Sequence, residues 1–320
     1  MKILVLGAGA IGGYFGGRLA QAGADVTFLV RPKRREQLAR DGLVIESPLG
    51  NLKLPVKTVV AGELAAGYDA ILFTCKAYDL DSAMEAIAPA VRAPAAVVPL
   101  LNGIAHLERL DARFGREQVM GGTAHINATL RPDGTVVHGD ALQNMLFGER
   151  DRGVSTLDGA SRPRSARALA LAEATKAAGI GGGLSEDIEQ DLWEKVVFLC
   201  ALATATCLFR ANVREVVGAP GGREAMQRAI AANVAVATAE GHPPRPASIA
   251  RFVERLTDPE GLWSASMLRD LEAGGQVEAD HVVGWMLERA RRHGVDDTLL
   301  SIAYTHLKAY ERRRDAKRLP

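Results

Sequence analysis

The sequence has few cysteines and almost no net charge. Its three cysteines, Cys75, Cys200 and Cys207, lie in apolar runs without the spacing of metal ligands, which argues against a disulfide-stapled scaffold and fits a reducing cytoplasm. Lysine and arginine number 39 against 38 acidic residues, so a formal charge of +1 gives no field that attracts nucleic acid or anionic lipid. We therefore expect a cytoplasmic protein with no metal, nucleic-acid or membrane partner.

The sequence also lacks a long hydrophobic run. Its longest apolar stretch, residues 196–209, contains two threonines and is bounded by Lys195 and Arg210. This stretch is too short to cross about 30 Å of hydrocarbon, so it predicts a buried helix. The N-terminus has one lysine and then an apolar segment broken by glycines, without a small-residue cleavage site, so we expect no signal peptide.

The length and composition predict two globular domains. A chain of 320 residues is about twice the usual domain size, and 48% hydrophobic with 24% charged residues is typical of soluble proteins. Up to about residue 148, short β-branched runs alternate with helical segments, which indicates a parallel sheet with crossover helices. We predict strands at residues 3–6, 25–30, 70–74, 96–100 and 119–122, a hairpin within 44–60, strands extending the sheet's edge within 127–147, and a mobile loop at 151–165.

A glycine-rich segment predicts the domain boundary. Four of the five residues 179–183 are glycine, and Ser185 with three acidic residues behind it is typical of a helix start. We therefore predict a dinucleotide-binding domain at residues 1–183 and a helical substrate domain at 184–320. The helical periodicity predicts helices at 164–178, 186–209, 223–240, 246–256, 266–272, 277–293 and 298–314.

The strongest local motif is Gly7-Ala8-Gly9-Ala10-Ile11-Gly12, a G-x-G-x-x-G that follows an apolar strand and opens a helix. Small residues let the backbone approach a pyrophosphate, and the helix N-terminus supplies N–H groups to it. Its place at the first strand of a βαβ-length unit favours dinucleotide binding over a purely structural turn. Gly13, Gly16 and Gly17 in the same helix indicate close packing on the sheet.

Arg31 indicates which dinucleotide is bound. At the end of the second strand an NAD enzyme carries an acid for the ribose 2′-hydroxyl, whereas an NADP enzyme carries an arginine for the 2′-phosphate. This sequence has Arg31 there and no acid at the strand end. We interpret the neighbouring basic residues 33–35 as a solvated loop that begins the next helix. The prediction is NADPH, with Arg31 as the phosphate ligand.

Two polar residues follow apolar runs at the carboxyl edge of the sheet, where open α/β sheets bind ligands. Lys76 follows residues 71–75, and Asn102 follows 97–101 and precedes Gly103. Each has an ordinary alternative, a surface lysine and a turn-forming Asn-Gly pair. We name both as candidate cofactor-binding or substrate-binding residues.

Lys195 is the candidate proton donor. Reducing a carbonyl by hydride transfer requires a second group that gives a proton, or at least positive charge, to the oxygen. Lys195 emerges where its helix becomes strongly apolar, and desolvation there would lower its pKa toward the working pH. The alternative is a lysine that snorkels to the surface from the end of an apolar helix.

Over nearly its full length the chain resembles the ketopantoate reductase (2-dehydropantoate 2-reductase) family. The matching elements, in order, are Gly7–Gly12 with Gly13, Arg31, Cys75-Lys76-Ala77, Asn102-Gly103, Gly122-Thr123 with His125, Trp193-Glu194-Lys195, Ser266-Met267-Leu268, and Val277-Glu278 before Asp280. The resemblance implies an α/β architecture, a doubly wound Rossmann-type domain followed by an all-helical domain like that of 6-phosphogluconate dehydrogenase. It also implies an NADP-dependent oxidoreductase acting on CH-OH groups, in pantothenate biosynthesis.

The resemblance also implies roles for individual residues. Lys195 would be the general acid, with Glu278 as a polar catalytic partner near substrate and cofactor. Asn102 and Ser266 would donate hydrogen bonds to the substrate, and Lys76 would lie at the cofactor-facing rim. From the residues alone, Ser266 could instead be an N-cap and Glu278 an ordinary first-turn acid favoured by the helix dipole.

The sequence departs from the family at two positions. The family's ketopantoate-specific members carry asparagines four and eight residues after the lysine, on the same helix face, where this chain has Leu199 and Ala203. Thr206 and Asn212 are the candidate substitutes. A wall of leucine and alanine favours a substrate with fewer hydroxyls, because an unpartnered buried polar group costs about 1–3 kcal/mol.

These observations lead to one expected activity and two alternatives. We expect NADPH-dependent reduction of a 2-oxoacid to a 2-hydroxyacid, with 2-dehydropantoate as the first candidate substrate. The first alternative is a reductase of another branched or aromatic 2-oxoacid. The second is a non-catalytic NADP(H)-binding protein. Exposed helical faces in such a fold would permit a homodimer.

Overall fold

The computed structural model describes residues 1–150 and 165–319, and the chain forms two compact units. Unit 1 comprises Met1–Leu101 and His106–Glu189, and unit 2 comprises Asn102–Ala105 and Gln190–Pro320. The division therefore falls later than the predicted boundary after Gly183, and a short segment of the N-terminal half groups with unit 2. The predicted mobile loop at 151–165 lies, except for Ser165, outside the described residues.

Unit 1 contains two sheets. Its strands are β1 Lys2–Leu6, β2 Asp25–Leu29, β3 Leu43–Glu46, β4 Leu52–Leu54, β5 Lys57–Val59, β6 Ala70–Phe73, β7 Ala96–Pro99, β8 Gly121–Leu130, β9 Val136–Gly148 and β10 Gly181–Leu184. The first sheet is parallel in the order β5-β2-β1-β6-β7. Strands β6 and β7 are buried along their whole length, as expected for a parallel sheet covered on both faces.

Helices lie between strands of unit 1, and a helix between two strands lets those strands run parallel, as the first helix does for β1 and β2. The helices are α1 Ala10–Gln21, α2 Pro32–Asp41, α3 Leu80–Ile87, α4 Ala105–Phe114 and α5 Ala166–Ala177. Alternation of strand and helix with parallel register is the doubly wound arrangement, in which ligands bind at the carboxyl ends of the strands. The predicted fold class is confirmed for this unit.

The second sheet corrects two predictions about the sheet's edge. Residues 127–147 do not extend the parallel sheet: β8 and β9 form an antiparallel pair, and β9 also pairs with β3 and β10. The predicted strand at 119–122 contributes only a bridge from Val119 to Val97 before the chain leaves the first sheet. Gly122 marks this crossing, since a Cβ there would lie 2.6 Å from Pro99 O. The predicted hairpin within 44–60 is present as the antiparallel pair β3–β4.

Most of the glycine-rich segment at 179–183 lies in strand β10, Gly181–Leu184. Gly182 has a φ of +89°, and a Cβ there would lie 2.6 Å from Met145 O on β9. Glycine therefore serves the close approach of β10 to β9. This explains why the segment belongs to unit 1 and does not end it.

Unit 2 is helical. Its helices are α6 Ile188–Phe209, which begins in unit 1, α7 Val213–Gly218, α8 Gly222–Ala239, α9 Pro246–Leu256, α10 Ser266–Glu272, α11 Trp285–His293 and α12 Thr298–Asp315. Within the described residues, α6 alone is long and apolar enough to cross a membrane, but 72% of its most apolar window is buried, as in the core helix of a folded domain. The prediction of a buried helix agrees with this. The short α7 was not predicted.

The predicted helix at 277–293 is divided in the structure. Val277 and Glu278 lie outside any helix, a π-helical turn occupies Asp280–Gly284, and α11 continues from Trp285. Tyr304 of α12 explains part of this, because a Cβ at Gly284 would lie 2.8 Å from its ring. Such π-turns occur often at functional sites.

Candidate active site

The loop between β1 and α1 is open where a phosphate group is expected. Gly7 has a φ of +91°, and its N–H donates to Leu29 O at 2.8 Å. A Cβ built on Gly9, just before α1, has no atom within 4 Å. The first N–H groups of a helix have no intrahelical acceptor, so this loop offers donors and space to an anion. Of the other motif residues, one is buried and two are partly exposed at the helix start: Ala8, then Ala10 and Ile11.

Gly12 serves close packing. A Cβ there would lie 2.2 Å from Gly7 O and 2.4 Å from Thr74 Oγ1. The Thr74 hydroxyl donates to Leu6 O at 2.6 Å, so strand, loop and helix meet at this point. The glycines of the motif therefore divide two tasks: Gly9 leaves space, and Gly12 lets α1 approach β1.

Arg31 lies just past β2, with 80% of its side chain exposed. It precedes α2 as the N-cap residue, and its Nη2 lies 3.2 Å from Asp79 Oδ1 in the turn after β6. Because β2 and β6 flank β1, this ion pair joins the loops on either side of the glycine-rich loop. An exposed guanidinium at this place fits a 2′-phosphate.

The structure corrects the interpretation of the basic residues 33–35 as a solvated loop. Arg34 is half-buried, and its Nε and Nη2 donate to Ala8 O at 3.2 and 2.9 Å, while Nη2 also donates to Gly134 O at 3.0 Å. Burial lowers the pKa of this guanidinium. Arg34 thus holds the backbone of the glycine-rich loop. In the sequence, the position of Arg34 in the first turn of α2, which begins at the ligand-binding edge of the sheet, could have indicated this role.

Lys76 is exposed and begins the turn that ends at Asp79, whose N–H donates to Lys76 O at 2.9 Å. The turn follows β6, at the same edge of the sheet as the glycine-rich loop. Its position is that of a residue at the rim of a nucleotide site.

Lys195 lies on α6 and is only partly exposed. Burial among protein atoms lowers the pKa of Lys195 from 10.5 to about 7. An ammonium with a pKa near neutrality can both hold a proton and release it at ordinary pH. A lysine that snorkels to the surface would keep a pKa near 10.5, so the lowered pKa favours the proton-donor interpretation.

Asn102 belongs to unit 2, although the chain on both sides of residues 102–105 belongs to unit 1. The neighbouring Gly103 has a φ of +76°, and a Cβ there would lie 3.1 Å from both the carbonyl oxygen and Cδ2 of His281. His281 is in the π-helical turn that follows Glu278. The Asn-Gly pair is therefore a turn that packs beside the segment carrying Glu278.

Ser266 is the first residue of α10 and is partly exposed. The N-cap position is held by Ala265, so the N-cap alternative for Ser266 is wrong. The N–H of Ala265 donates to Thr206 Oγ1 on α6 at 3.4 Å. The start of α10 therefore lies against the helix that carries Lys195.

Glu278 is buried, with 9% of the residue exposed, and lies just before the π-helical turn. Its carbonyl accepts the N–H of Val282 at 3.2 Å. The Cys200 thiol of α6 points at Val282 O, with Sγ 4.0 Å away. The segment that carries Glu278 is thus also packed on α6, and all four predicted substrate-site residues lie in unit 2.

The two candidate substitutes for the missing asparagines are used elsewhere. Thr206 is fully buried, and its hydroxyl donates to a backbone carbonyl of α6 at 2.7 Å. Asn212 Oδ1 accepts a backbone N–H at 3.0 Å and forms the capping box of α7. Leu199 is half-buried and Ala203 is buried. The hydroxyl of Thr206 and the Oδ1 of Asn212 therefore already stabilise helices of unit 2.

The described residues contain no group of three or more histidine, cysteine, aspartate or glutamate side chains that could hold a metal ion. The described residues thus provide a glycine-rich loop with free space in unit 1 and, in unit 2, a lysine whose pKa burial lowers to about 7. Such a set can bind a dinucleotide and supply a proton to a developing alkoxide.

Two family models match the chain. "Ketopantoate reductase PanE/ApbA" matches residues 3–152, and "Ketopantoate reductase PanE/ApbA C terminal" matches residues 187–311. Together they cover most of both units.

Individual proteins agree with this assignment. The chain is 37% identical over 311 residues to "Uncharacterized oxidoreductase YkpB" of Bacillus subtilis (strain 168), covering 97% of this chain and 99% of that protein. It is 31% identical over 296 residues to the 2-dehydropantoate 2-reductase of Archaeoglobus fulgidus, covering 92% of each. The ternary structure of D-mandelate dehydrogenase with NADH and anilino(oxo)acetate has the same fold, with a TM-score of 0.84, 22% identity and coverage of 98% of this chain and 100% of that one. The chain is therefore a member of the ketopantoate reductase family of NAD(P)H-dependent oxidoreductases that act on CH-OH groups.

Proposed function

We propose that this protein reduces a 2-oxoacid to the corresponding 2-hydroxyacid with NADPH, and that Lys195 donates the proton. The observation that carries the proposal is the partly buried ammonium of Lys195, whose pKa burial lowers to about 7. When bound, NADPH supplies the hydride for the keto carbon. The carbonyl oxygen needs one proton to become the product hydroxyl, and Lys195 is the group suited to give it.

The residues of unit 1 fit a dinucleotide that carries a 2′-phosphate. Space and N–H donors at Gly9 suit a pyrophosphate, and Arg34 keeps that loop in place. The exposed guanidinium of Arg31 suits the 2′-phosphate, because it presents several donors in a planar fork. Lys76, at the same edge of the sheet, adds a positive charge. These features support NADPH over NADH.

The remaining roles fall to residues of unit 2. Asn102 and Ser266, both partly exposed, would bind the carboxylate or a hydroxyl of the substrate. Glu278 would be the polar partner that orients the substrate for reduction. Lys195 would also attract the anionic substrate while it is protonated.

The first candidate substrate is 2-dehydropantoate, supported by the Archaeoglobus fulgidus relative. Its product, pantoate, would place this protein in pantothenate biosynthesis in the cytoplasm.

A specific observation favours a second candidate, a branched or aromatic 2-oxoacid without a further hydroxyl. Positions 199 and 203 are leucine and alanine, and the hydroxyl of Thr206 and the Oδ1 of Asn212 already take part in hydrogen bonds within the protein. A substrate hydroxyl facing this side of α6 would lack a partner, which disfavours it. The crystallised D-mandelate dehydrogenase of the same fold holds a ligand with an anilino group.

The experiment is an absorbance assay of NADPH consumption with a panel of 2-oxoacids: 2-dehydropantoate, 2-oxoisovalerate and phenylpyruvate. The proposal expects turnover of at least one acid and its loss in Lys195→Ala. Equal or faster rates with the two hydroxyl-free acids would select the second candidate. If the protein bound NADPH tightly but oxidised it with none of the acids in the panel, the enzymatic proposal would be rejected. A non-catalytic binding protein would then be favoured.

A further inference from the structure

Glu194, the residue before the proposed proton donor, is a buried carboxylate with many hydrogen-bond donors. Only 6% of the residue is exposed. Its Oε1 accepts from the backbone N and Nε of Arg245 at 2.8 and 2.7 Å, and its Oε2 accepts from Arg245 Nη2 at 2.9 Å and Ser248 Oγ at 2.6 Å. Burial alone would raise the pKa of this carboxyl, but the hydrogen bonds from Arg245 and Ser248 outweigh it and lower the pKa to about 2.

These contacts tie α6 to the start of α9. Arg245 is the N-cap residue of α9 without a side-chain cap of its own, and Ser248 lies in the first turn. The Glu194 carboxylate therefore caps α9 from another helix, at the end where the helix dipole favours negative charge. One turn earlier on α6, Gln190 Nε2 donates to Pro243 O at 3.0 Å and adds a second tie.

Trp193 holds the same turn of α6 by aromatic contacts. Its ring stacks on that of His242, with centroids 5.1 Å apart and an interplanar angle of 16°, and lies 5.4 Å from the ring of Trp285. Successive side chains of a helix point about 100° apart. Because the contacts of Trp193 and Glu194 fix the rotation of α6 about its axis, they also fix the side of the helix on which Lys195 lies.

We infer that Glu194 is a positioning residue, whose ion pair with Arg245 holds α6 in the rotation that keeps Lys195 partly buried. The inference deepens the proposed function, since it concerns the proton donor named there. Removing Glu194 would take away the cap of α9 and leave Arg245 with Asp191, one turn earlier on α6, as its carboxylate partner, so the turn that carries Lys195 would be held less firmly. Water would then reach the Lys195 ammonium.

Two accounts of Glu194 predict opposite results. If the carboxylate acts on Lys195 only by its charge, its removal takes an anion from beside the ammonium and lowers the pKa of Lys195 further. If it acts by position, its removal hydrates Lys195 and raises that pKa from about 7 toward 10.5. The sign of the shift therefore separates the two.

The experiment is an NMR titration of the full-length protein with ¹³Cε-labelled lysine, and the Lys195 signal is assigned by its disappearance in Lys195→Arg. We expect Glu194→Ala to raise the titration midpoint of Lys195 by on the order of one pH unit or more. Glu194→Gln keeps the shape and one acceptor oxygen, so a smaller rise is expected. An unchanged or lowered midpoint in both variants would overturn the inference.

Met226→Ala on α8 is the control for a general loss of stability, because Met226 is fully buried. It should lower Tm and leave the midpoint of Lys195 in place. If Glu194→Ala does not fold, the milder Glu194→Gln still gives the sign of the shift. The titration measures the pKa of Lys195 and needs no substrate, so its result does not depend on the proposed activity. The proposed activity is tested by turnover, and it would be rejected if Lys195→Ala kept the full rate.

Discussion

At the scale of the residue, the proposed chemistry depends on how burial changes the pKa of a lysine side chain. Water stabilises an ammonium far better than packed protein atoms do, so excluding water favours the neutral amine. For Lys195 this lowers the pKa from 10.5 to about 7. The same burial that makes the group acidic enough to give up a proton also costs folding free energy while the group is charged.

This cost leads to a prediction for Lys195→Met. Because the folded-state pKa is below the unfolded value, the native protein must hold a desolvated charge at and below about pH 7. Its stability then rises between about pH 7 and 10.5. Lys195→Met removes the charge, so its Tm should exceed that of the wild type at about pH 6, and the difference should shrink by about pH 9.5. Thermal unfolding at the two values measures this, and a difference that does not change with pH would contradict it.

Arg31 supports a second prediction at this scale. Replacing it with alanine should weaken NADPH binding by about 10- to 100-fold and leave NADH binding nearly unchanged, because charged hydrogen bonds to the 2′-phosphate are lost. Asp79, which pairs with Arg31 at 3.2 Å, would compete with that phosphate. Asp79→Asn should therefore strengthen NADPH binding by about two- to fivefold, the range of an exposed ion pair.

Asp81→Asn is the matched control for Asp79→Asn. Asp81 is an exposed acid of α3 that pairs with Arg109, so its substitution removes the same charge without touching Arg31. Calorimetric titration with NADPH and NADH provides the dissociation constants. Weaker NADPH binding in Asp79→Asn than in the control would mean that Asp79 orients Arg31 and does not compete with the phosphate.

At the scale of the element, the β1–α1 junction assigns different tasks to two glycines, which alanine substitutions can separate. Gly12→Ala would place a Cβ 2.2 Å from Gly7 O, so it should lower both Tm and cofactor affinity. Gly9→Ala meets no atom within 4 Å and should fold with a nearly unchanged Tm, yet its methyl group occupies space that suits a pyrophosphate. Melting curves and NADPH titrations of both variants test this, and normal NADPH affinity in Gly9→Ala would refute it.

The α7 cap provides a prediction about substrate recognition. Asn212 is committed to a capping box, so Asn212→Ala should cost about 1 kcal/mol of stability and leave the KM for the 2-oxoacid unchanged. Chemical denaturation and steady-state kinetics provide the two values. A raised KM with unchanged stability would show that Asn212 contacts the substrate after all.

Most elements of the fold could be predicted from local pattern, because apolar runs and helical periodicity act over a few residues. The second sheet could not be, since β3 pairs with β9 through contacts such as Ile45 with Val136, far apart in sequence. The strand β10 was hidden for another reason: a run of glycines is typical of a hinge, and only the close approach to Met145 shows its use.

The candidate site was predictable to a similar degree. The motif, Arg31 and Lys195 stand at positions where strand ends and apolar periodicity mark them. Arg34 was misjudged because its buried hydrogen bonds to the loop depend on where α2 begins. The contact between Gly103 and His281 joins distant parts of the chain, so no local pattern indicates it.

At the scale of the whole molecule, the features for nucleotide binding and for proton donation lie in different units. The glycine-rich loop, Arg31 and Lys76 are in unit 1, and the proposed substrate-site residues are in unit 2: Lys195, Asn102, Ser266 and Glu278. Substitutions in the first group should therefore change cofactor affinity, and substitutions in the second should change turnover. With a formal charge of +1, the molecule as a whole adds little to the capture of an anionic substrate.

The most direct test of the central claim is the pH dependence of kcat/KM for NADPH-driven reduction of the best 2-oxoacid. Because Lys195 must be protonated to act, the wild-type value should fall about tenfold per pH unit above about pH 7. Lys195→Ala should lose about 10²- to 10⁴-fold in rate and this pH-dependent fall. The control Lys57→Ala, which removes an exposed lysine of β5 paired with Asp25, should keep both. A Lys195→Ala enzyme with wild-type rates and the same pH profile would contradict the account.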